Sequence, residues 1–220
     1  MTEVLKERTS SIIYKEIPLG NLTPVKAFEK LRGGRYSFLL ESASGSVKTG
    51  RYSFIGTDPF LIFKSKGRII EIIKKGKKTT IDDSPLKILR ELVGEYRIDR
   101  IEGLPTFTGG AIGILSYDFV HHFERLPRTT LDDLKLPDAN FIFVDTVIAF
   151  DHYTKRSWVI TNPSVRNEDY EDALLRMEEI IKKLSFPSPP HPINQEIRRP
   201  IEIRYEMKKE EYKSIVRKAK

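Results

Sequence analysis

The sequence predicts an α+β fold with antiparallel sheet, and three observations carry that prediction. Strand-like runs outnumber helical ones, most connections between them fit hairpins, and the helical segments occur only occasionally among the strands. A doubly wound parallel sheet would instead alternate strand with helix along the chain.

Taken in order, Ser11-Ile12-Ile13-Tyr14 reads as a first strand. Thr23-Pro24 then opens a helix, with Thr as N-cap, Pro at the first helical position and Val25, Phe28 and Leu31 on one face. Gly33-Gly34 ends it. Strands follow over Tyr36 to Leu40 and Arg51 to Ile55, separated by a small-residue loop longer than a usual hairpin turn. Phe60 to Lys66 and Arg68 to Lys74 form a hairpin in which Gly67 supplies a positive φ. Ser84-Pro85 starts a second helix by the same capping logic, with Leu86, Ile88, Leu89, Leu92 and Val93 apolar.

The stretch TGGAIGILSYD, 108–118, is a Gly-rich strand. Glycine weakens a strand, so this density implies close approach of another backbone or of a ligand, and packing against a neighbouring layer is the favoured reading. Its spacing matches neither the phosphate-binding loop nor the dinucleotide fingerprint. Phe141 to Phe150 reads as one apolar strand ending at Asp151-His152, and Lys155 to Thr161 returns after a short turn. Asn167 or Asp169 caps a helix whose Ala173, Leu174, Met177, Ile180, Ile181 and Leu184 follow helical spacing. FPSPPHPINQ, 186–195, is a stiff proline-dense connector, followed by a strand-like Pro200 to Tyr205. The final stretch is an amphipathic helix with Tyr212, Ile215, Val216 and Ala219 on one face and no closing Gly, Asn or Pro, which reads as the front part of a longer chain.

With 220 residues, 39% hydrophobic and 31% charged, the chain is long enough for a sizeable core and has a soluble globular composition. No run reaches the roughly 18 to 20 apolar residues of a membrane span, and the charged start lacks the apolar segment of a secretory signal. Cysteine is absent, which removes disulfides, thiolate metal sites and thiol nucleophiles. The expected compartment is the cytoplasm. A net charge of +7 invites a nucleic-acid reading. The densest basic tract, KSKGRIIEIIKKGKK at 64–78, alternates with Ile and Glu as a hairpin does, so its lysines are expected to coat a solvent face. The abundance of Lys and Glu fits a heat-adapted source.

Catalytic constellations are missing. The four histidines (121, 122, 152 and 191) show no metal-ligand spacing, no nucleophile elbow occurs, and Asp82-Asp83 and Asp132-Asp133 sit in turn or capping contexts. No catalytic residue and no metal ligand is therefore assigned. One constellation remains: Glu41 and Ser42 at one edge of the long loop, and Arg51 at the other. Glu41 is an acceptor for an ammonium, Ser42 offers a hydroxyl, and Arg51 can meet a carboxylate, as an amino-acid zwitterion requires. The alternative is a surface ion pair beside a Ser-rich loop.

FLLESASGSVKTGRYSFIG, GGAIGILSYD, LPD at 136–138 and VIAFDH at 147–152, in this order, resemble the N-terminal region of anthranilate synthase component I and of related chorismate-using enzymes, aminodeoxychorismate synthase among them. The resemblance implies antiparallel sheets packed orthogonally with helices outside. It divides the chain into an N-terminal region, 1–184, carrying part of a tryptophan regulatory site, a connector, 185–199, and the start of the chorismate-binding catalytic region, 200–220. It further implies conversion of chorismate and ammonia to anthranilate and pyruvate, with Mg²⁺ held outside this chain. A partner glutamine amidotransferase subunit, anthranilate synthase component II, would supply the ammonia, and tryptophan would exert feedback control. On the same basis Ser42 contacts tryptophan, Glu41 lies beside it, and Arg51 takes the basic position, for which Lys48 is the alternative. A synthase of the folate pathway and a non-catalytic amino-acid-binding module are the competing readings. Nucleic-acid binding is a distant third.

Overall fold

The computed structural model describes residues 12–18, 20, 22–34, 36–41, 50–98, 100–127, 131–166, 169–186 and 205–220. The chain divides into two compact units, Met1–Ser188 and Pro189–Lys220. Within the second unit the described element is a helix, α4 (Lys209–Ala219), where the terminal amphipathic pattern predicts one. The proline-dense connector and most of the strand-like segment after it lie outside the described residues.

The first unit holds two five-stranded sheets whose strand pairs are all antiparallel. Its strands are β1 (Ile13–Glu16), β2 (Ser37–Glu41), β3 (Tyr52–Thr57), β4 (Leu61–Lys66), β5 (Ile69–Lys74), β6 (Lys77–Asp82), β7 (Gly110–Leu115), β8 (Ala139–Val144), β9 (Thr146–Asp151) and β10 (Arg156–Thr161). One sheet runs β1-β10-β9-β3-β2 and the other β6-β5-β4-β8-β7.

The helices are α1 (Pro24–Leu31), α2 (Pro85–Glu95) and α3 (Tyr170–Ser185). Thr23 caps α1 by accepting a hydrogen bond from the Lys26 amide at 3.3 Å, with Pro24 at the first helical position. Ser84 precedes α2 without such a bond; the Asp83 carboxylate accepts from the Ser84 amide instead. Helices α1 and α3 cover one face of the first sheet, where Ala27, Ala173 and Met177 pack with Ile55, Ile148 and Phe150. Helix α2 covers the second sheet, where Leu89 packs with Leu61, Phe63, Ile70 and Phe143.

The apolar run 141–150 is not one strand. It breaks at Asp145 into β8 of one sheet and β9 of the other. A parallel break between β3 and β4 falls at Asp58–Phe60, and Phe60 donates its amide to the Phe143 carbonyl. A two-stranded ribbon thus turns the corner from sheet to sheet, the construction that joins orthogonally packed sheets. Polar groups hold the corner. Asp145 is fully buried and takes Arg166 Nε at 2.9 Å and Arg176 Nη1 at 2.6 Å. Arg166 Nη2 also donates to the Asp58 carbonyl, while Asn162 Nδ2 donates to the carbonyls of Asp145 and Thr108.

Strand β6 extends the expected hairpin to three strands, through a turn at Lys75-Gly76. Its sequence, KKTTID, shows no apolar alternation because it lies exposed at a sheet edge. The Gly-rich strand is explained by packing: a Cβ on Gly113 would overlap the Asn140 carbonyl and the Phe141 ring of the adjacent β8. The basic tract also behaves as a surface. Lys78 pairs with Glu71, and Lys66 bridges Asp132 and Asp138.

Candidate functional site

Strands β2 and β3 pair so that Glu41 stands opposite Ser53, and β3 pairs with β9 so that Tyr52 stands opposite Asp151. Side chains two residues apart share a sheet face. Glu41 and Ser53 therefore lie on the face of Ile55 and Phe150, the one that α1 and α3 cover further along. Tyr52, Phe54 and Asp151 lie on the other, where Phe54 meets Phe107 edge-on at 5.5 Å.

The sheet brings Glu41 and Arg51 to the same end of neighbouring strands, with Glu41 exposed at the last position of β2. They do not pair with each other. Arg51 pairs with Asp151: Nε lies 3.1 and 3.0 Å from the two carboxylate oxygens, and Nη2 lies 2.7 Å from Oδ2. This is a two-pronged contact of the kind a planar guanidinium makes best. Tyr52 and Tyr153 flank the guanidinium, their ring centroids 4.9 and 5.8 Å from Cζ. Ser42 and Lys48 lie outside the described residues.

Asp151 is built into the turn that leads from β9 to β10. Its Oδ1 accepts the amides of Tyr153 at 2.9 Å and Thr154 at 3.2 Å, and Lys155 completes the turn at φ 57°. Burial pushes the Asp151 carboxyl up, but the bonds from Arg51, Thr154 and Tyr153 outweigh it and hold the pKa at about 2. The same pairing raises Arg51 above its ordinary value. Next door, Ser53 Oγ and His152 Nε2 are 2.7 Å apart, and the His152 amide donates to the Arg51 carbonyl. Sequence reasoning did not single out Ser53, Asp151 or His152 as site residues. The signal for the last two was the FDH ending of β9, which gains meaning only when β9 is paired with β3.

Among the described residues no group of three or more His, Asp or Glu side chains is placed to share a metal ion. His121 and His122 sit half-buried in a short 3-10 helix, Tyr117–His122, and the His122 ring lies tilted by 46° against Phe119, the centroids 4.7 Å apart. Asp83 pairs with Lys87, and Asp132 pairs with Lys66 and accepts the Lys135 amide. No helix among the described residues is long and apolar enough to cross a membrane.

Residues 38–220 match the family model of the chorismate binding enzyme. Relatives include anthranilate synthase component 1 of Acetivibrio thermocellus, 34% identical over 74% of this chain and 33% of the relative. That of Saccharomyces cerevisiae is 37% identical over 82% of this chain and 36% of the relative. Aminodeoxychorismate synthase component 1 of Bacillus subtilis is 34% identical over 76% and 34%. Among solved structures, anthranilate synthase component I from Streptococcus pneumoniae TIGR4 superposes with a TM-score of 0.56 and 26% identity, covering 80% of this chain and 38% of that one. The chain thus spans about a third of the length of these relatives.

Proposed function

The chain belongs to the chorismate-binding enzyme family, and on that premise we propose that it is part of component I of an anthranilate synthase. The observation that carries this reading is the repeated similarity to that enzyme over most of the chain, from bacteria to yeast. The reaction is a carbon–oxygen lyase reaction: chorismate and ammonia give anthranilate, pyruvate and water. The amino group enters the ring as the hydroxyl leaves, and loss of the enolpyruvyl side chain as pyruvate makes the ring aromatic. A glutamine amidotransferase subunit supplies ammonia from glutamine. Mg²⁺, which would offset the charge of the substrate carboxylate, is held outside residues 1–220, as are the catalytic groups. The compartment is the cytoplasm.

In this reading the β2–β3 rim is one wall of a tryptophan feedback site. Glu41 faces the ligand ammonium, Ser42 contacts the ligand, and Arg51 is the basic group.

The test is product analysis with the full-length protein, chorismate, Mg²⁺ and ammonia. Fluorescent anthranilate together with stoichiometric pyruvate is expected. The similarity to aminodeoxychorismate synthase gives the second reading. Under it, a product that yields para-aminobenzoate only after a separate lyase is added would replace the anthranilate assignment.

A further inference from the structure

A cavity of about 300 Å³ opens where the end of α2, the segment 96–108 and the first residues of β7 meet. That is the lower end of the range for small-molecule pockets. Three rings wall it: Tyr96, Phe107 and Phe143. Each is held by its neighbours. Phe107 meets Phe38 and Phe54 edge-on, with centroids 6.4 and 5.5 Å away. Tyr96 meets Phe60 and Phe143 in the same way at 5.0 and 6.1 Å, and its hydroxyl accepts from Lys74 Nζ at 2.6 Å. The backbone side is fixed as well. The buried Asn162 donates from Nδ2 to the Thr108 carbonyl at 2.8 Å, and Gly109 and Gly110 follow at φ 147° and 123°, which glycine alone adopts readily. A Cβ on Gly109 would lie 2.7 Å from Ile98 Cδ1, whereas one on Gly110 would meet nothing nearer than the Phe107 ring at 3.9 Å, so the chain at Gly110 borders open space. Arg97 and Arg100 line the same cavity from exposed positions, and among the described residues no Asp or Glu lines it. The wall is aromatic and the rim is cationic.

We propose that this cavity is a binding site for a small aromatic carboxylate: a single ring lies against Tyr96, Phe107 and Phe143, and Arg97 and Arg100 take its carboxylate. A flat ring is what an aromatic wall of this size accommodates. A guanidinium meets a carboxylate through paired, coplanar N–H donors, which makes arginine the suited rim residue. Binding needs both parts of the ligand. An uncharged ring leaves the two guanidinium groups to water, and a carboxylate without a ring leaves the wall wet. The proposal does not rest on the tryptophan-site reading, because the cavity lies beside the second sheet and uses no residue of the β2–β3 rim.

The experiment is calorimetric titration of the full-length protein with benzoate, benzyl alcohol (no charge) and acetate (no ring), using wild type, the double variant Arg97→Gln with Arg100→Gln, and Val93→Trp. Val93 lines the cavity from a helix position that is 48% exposed, so tryptophan there fills the space without entering the core. Wild type is expected to bind benzoate saturably and to prefer it to benzyl alcohol by about tenfold to a hundredfold, the range for a charge-assisted contact. Acetate binds more weakly than benzoate. In the double variant the preference over benzyl alcohol collapses toward unity, and in Val93→Trp benzoate binding is lost. All three substitutions are at exposed positions, and circular dichroism confirms that each variant is folded. Absence of saturable benzoate binding to wild type overturns the proposal. An undiminished preference in the double variant does so too, as does undiminished benzoate binding to Val93→Trp, which would place the ligand elsewhere on the protein.

Discussion

Protonating Asp151 removes the negative charge that holds Arg51, just before β3, to the β9–β10 turn, and the cost can be worked from its pKa. The carboxyl stands at about 2 in the folded protein against an ordinary value of 3.8. A folded-state value below the unfolded one means that the unfolded chain takes up the proton first. The stabilisation is therefore complete above pH 4 and is lost as pH falls from about 4 to about 2. The displacement corresponds to about 2 kcal/mol. Other carboxylates titrate in the same window, so the informative quantity is a difference. Urea unfolding of the intact protein, followed by far-ultraviolet circular dichroism between pH 2 and pH 6, is compared for wild type and Asp151→Asn. Wild type is expected to be the more stable at pH 6, and the two curves to converge by about that same 2 kcal/mol on acidification. Parallel curves across the window would refute the claim that the charge of Asp151, rather than its shape, holds this end of the sheet.

Gly113→Ala places a methyl group against the Asn140 carbonyl and is expected to destabilise by about 1–3 kcal/mol, read from the urea midpoint. Asp145→Ala leaves Arg166 and Arg176 without their shared buried carboxylate, and a loss of about 3–5 kcal/mol is expected in the same assay. Arg156→Ala removes only the exposed pair with Glu16 and a contact on the Trp158 ring, so its unfolding midpoint should stay close to that of wild type.

Much of this architecture is local enough to be read before folding. Thr23-Pro24 announces α1, Gly67 announces the β4–β5 turn, and the apolar spacing from Ala173 to Leu184 announces α3. The corner at Asp145 is not local. The run FIFVDTVIAF is apolar on both sides of a single aspartate, and only the two arginines of the following segment show why the chain bends there. Strand β6 escaped because an exposed edge strand needs no apolar alternation. The site divides in the same way. Glu41 and Arg51 stand out as opposite charges flanking a long loop, whereas Asp151 lies 100 residues from Arg51 and reaches it only through the β3–β9 register. The simple expectation that opposite charges on the rim pair with each other fails for this reason: a buried carboxylate that also closes a turn is the better partner for Arg51.

The central claim is that the β2–β3 rim carries a tryptophan site in a chorismate-using enzyme. Its most direct test is calorimetric titration of L-tryptophan into the full-length protein, wild type against Ser42→Arg, with thermal unfolding alongside. Saturable binding that raises the melting temperature of wild type, and that is lost in a still-folded Ser42→Arg protein, is the predicted result. Absence of binding to intact wild type, or undiminished binding to the variant, would contradict it.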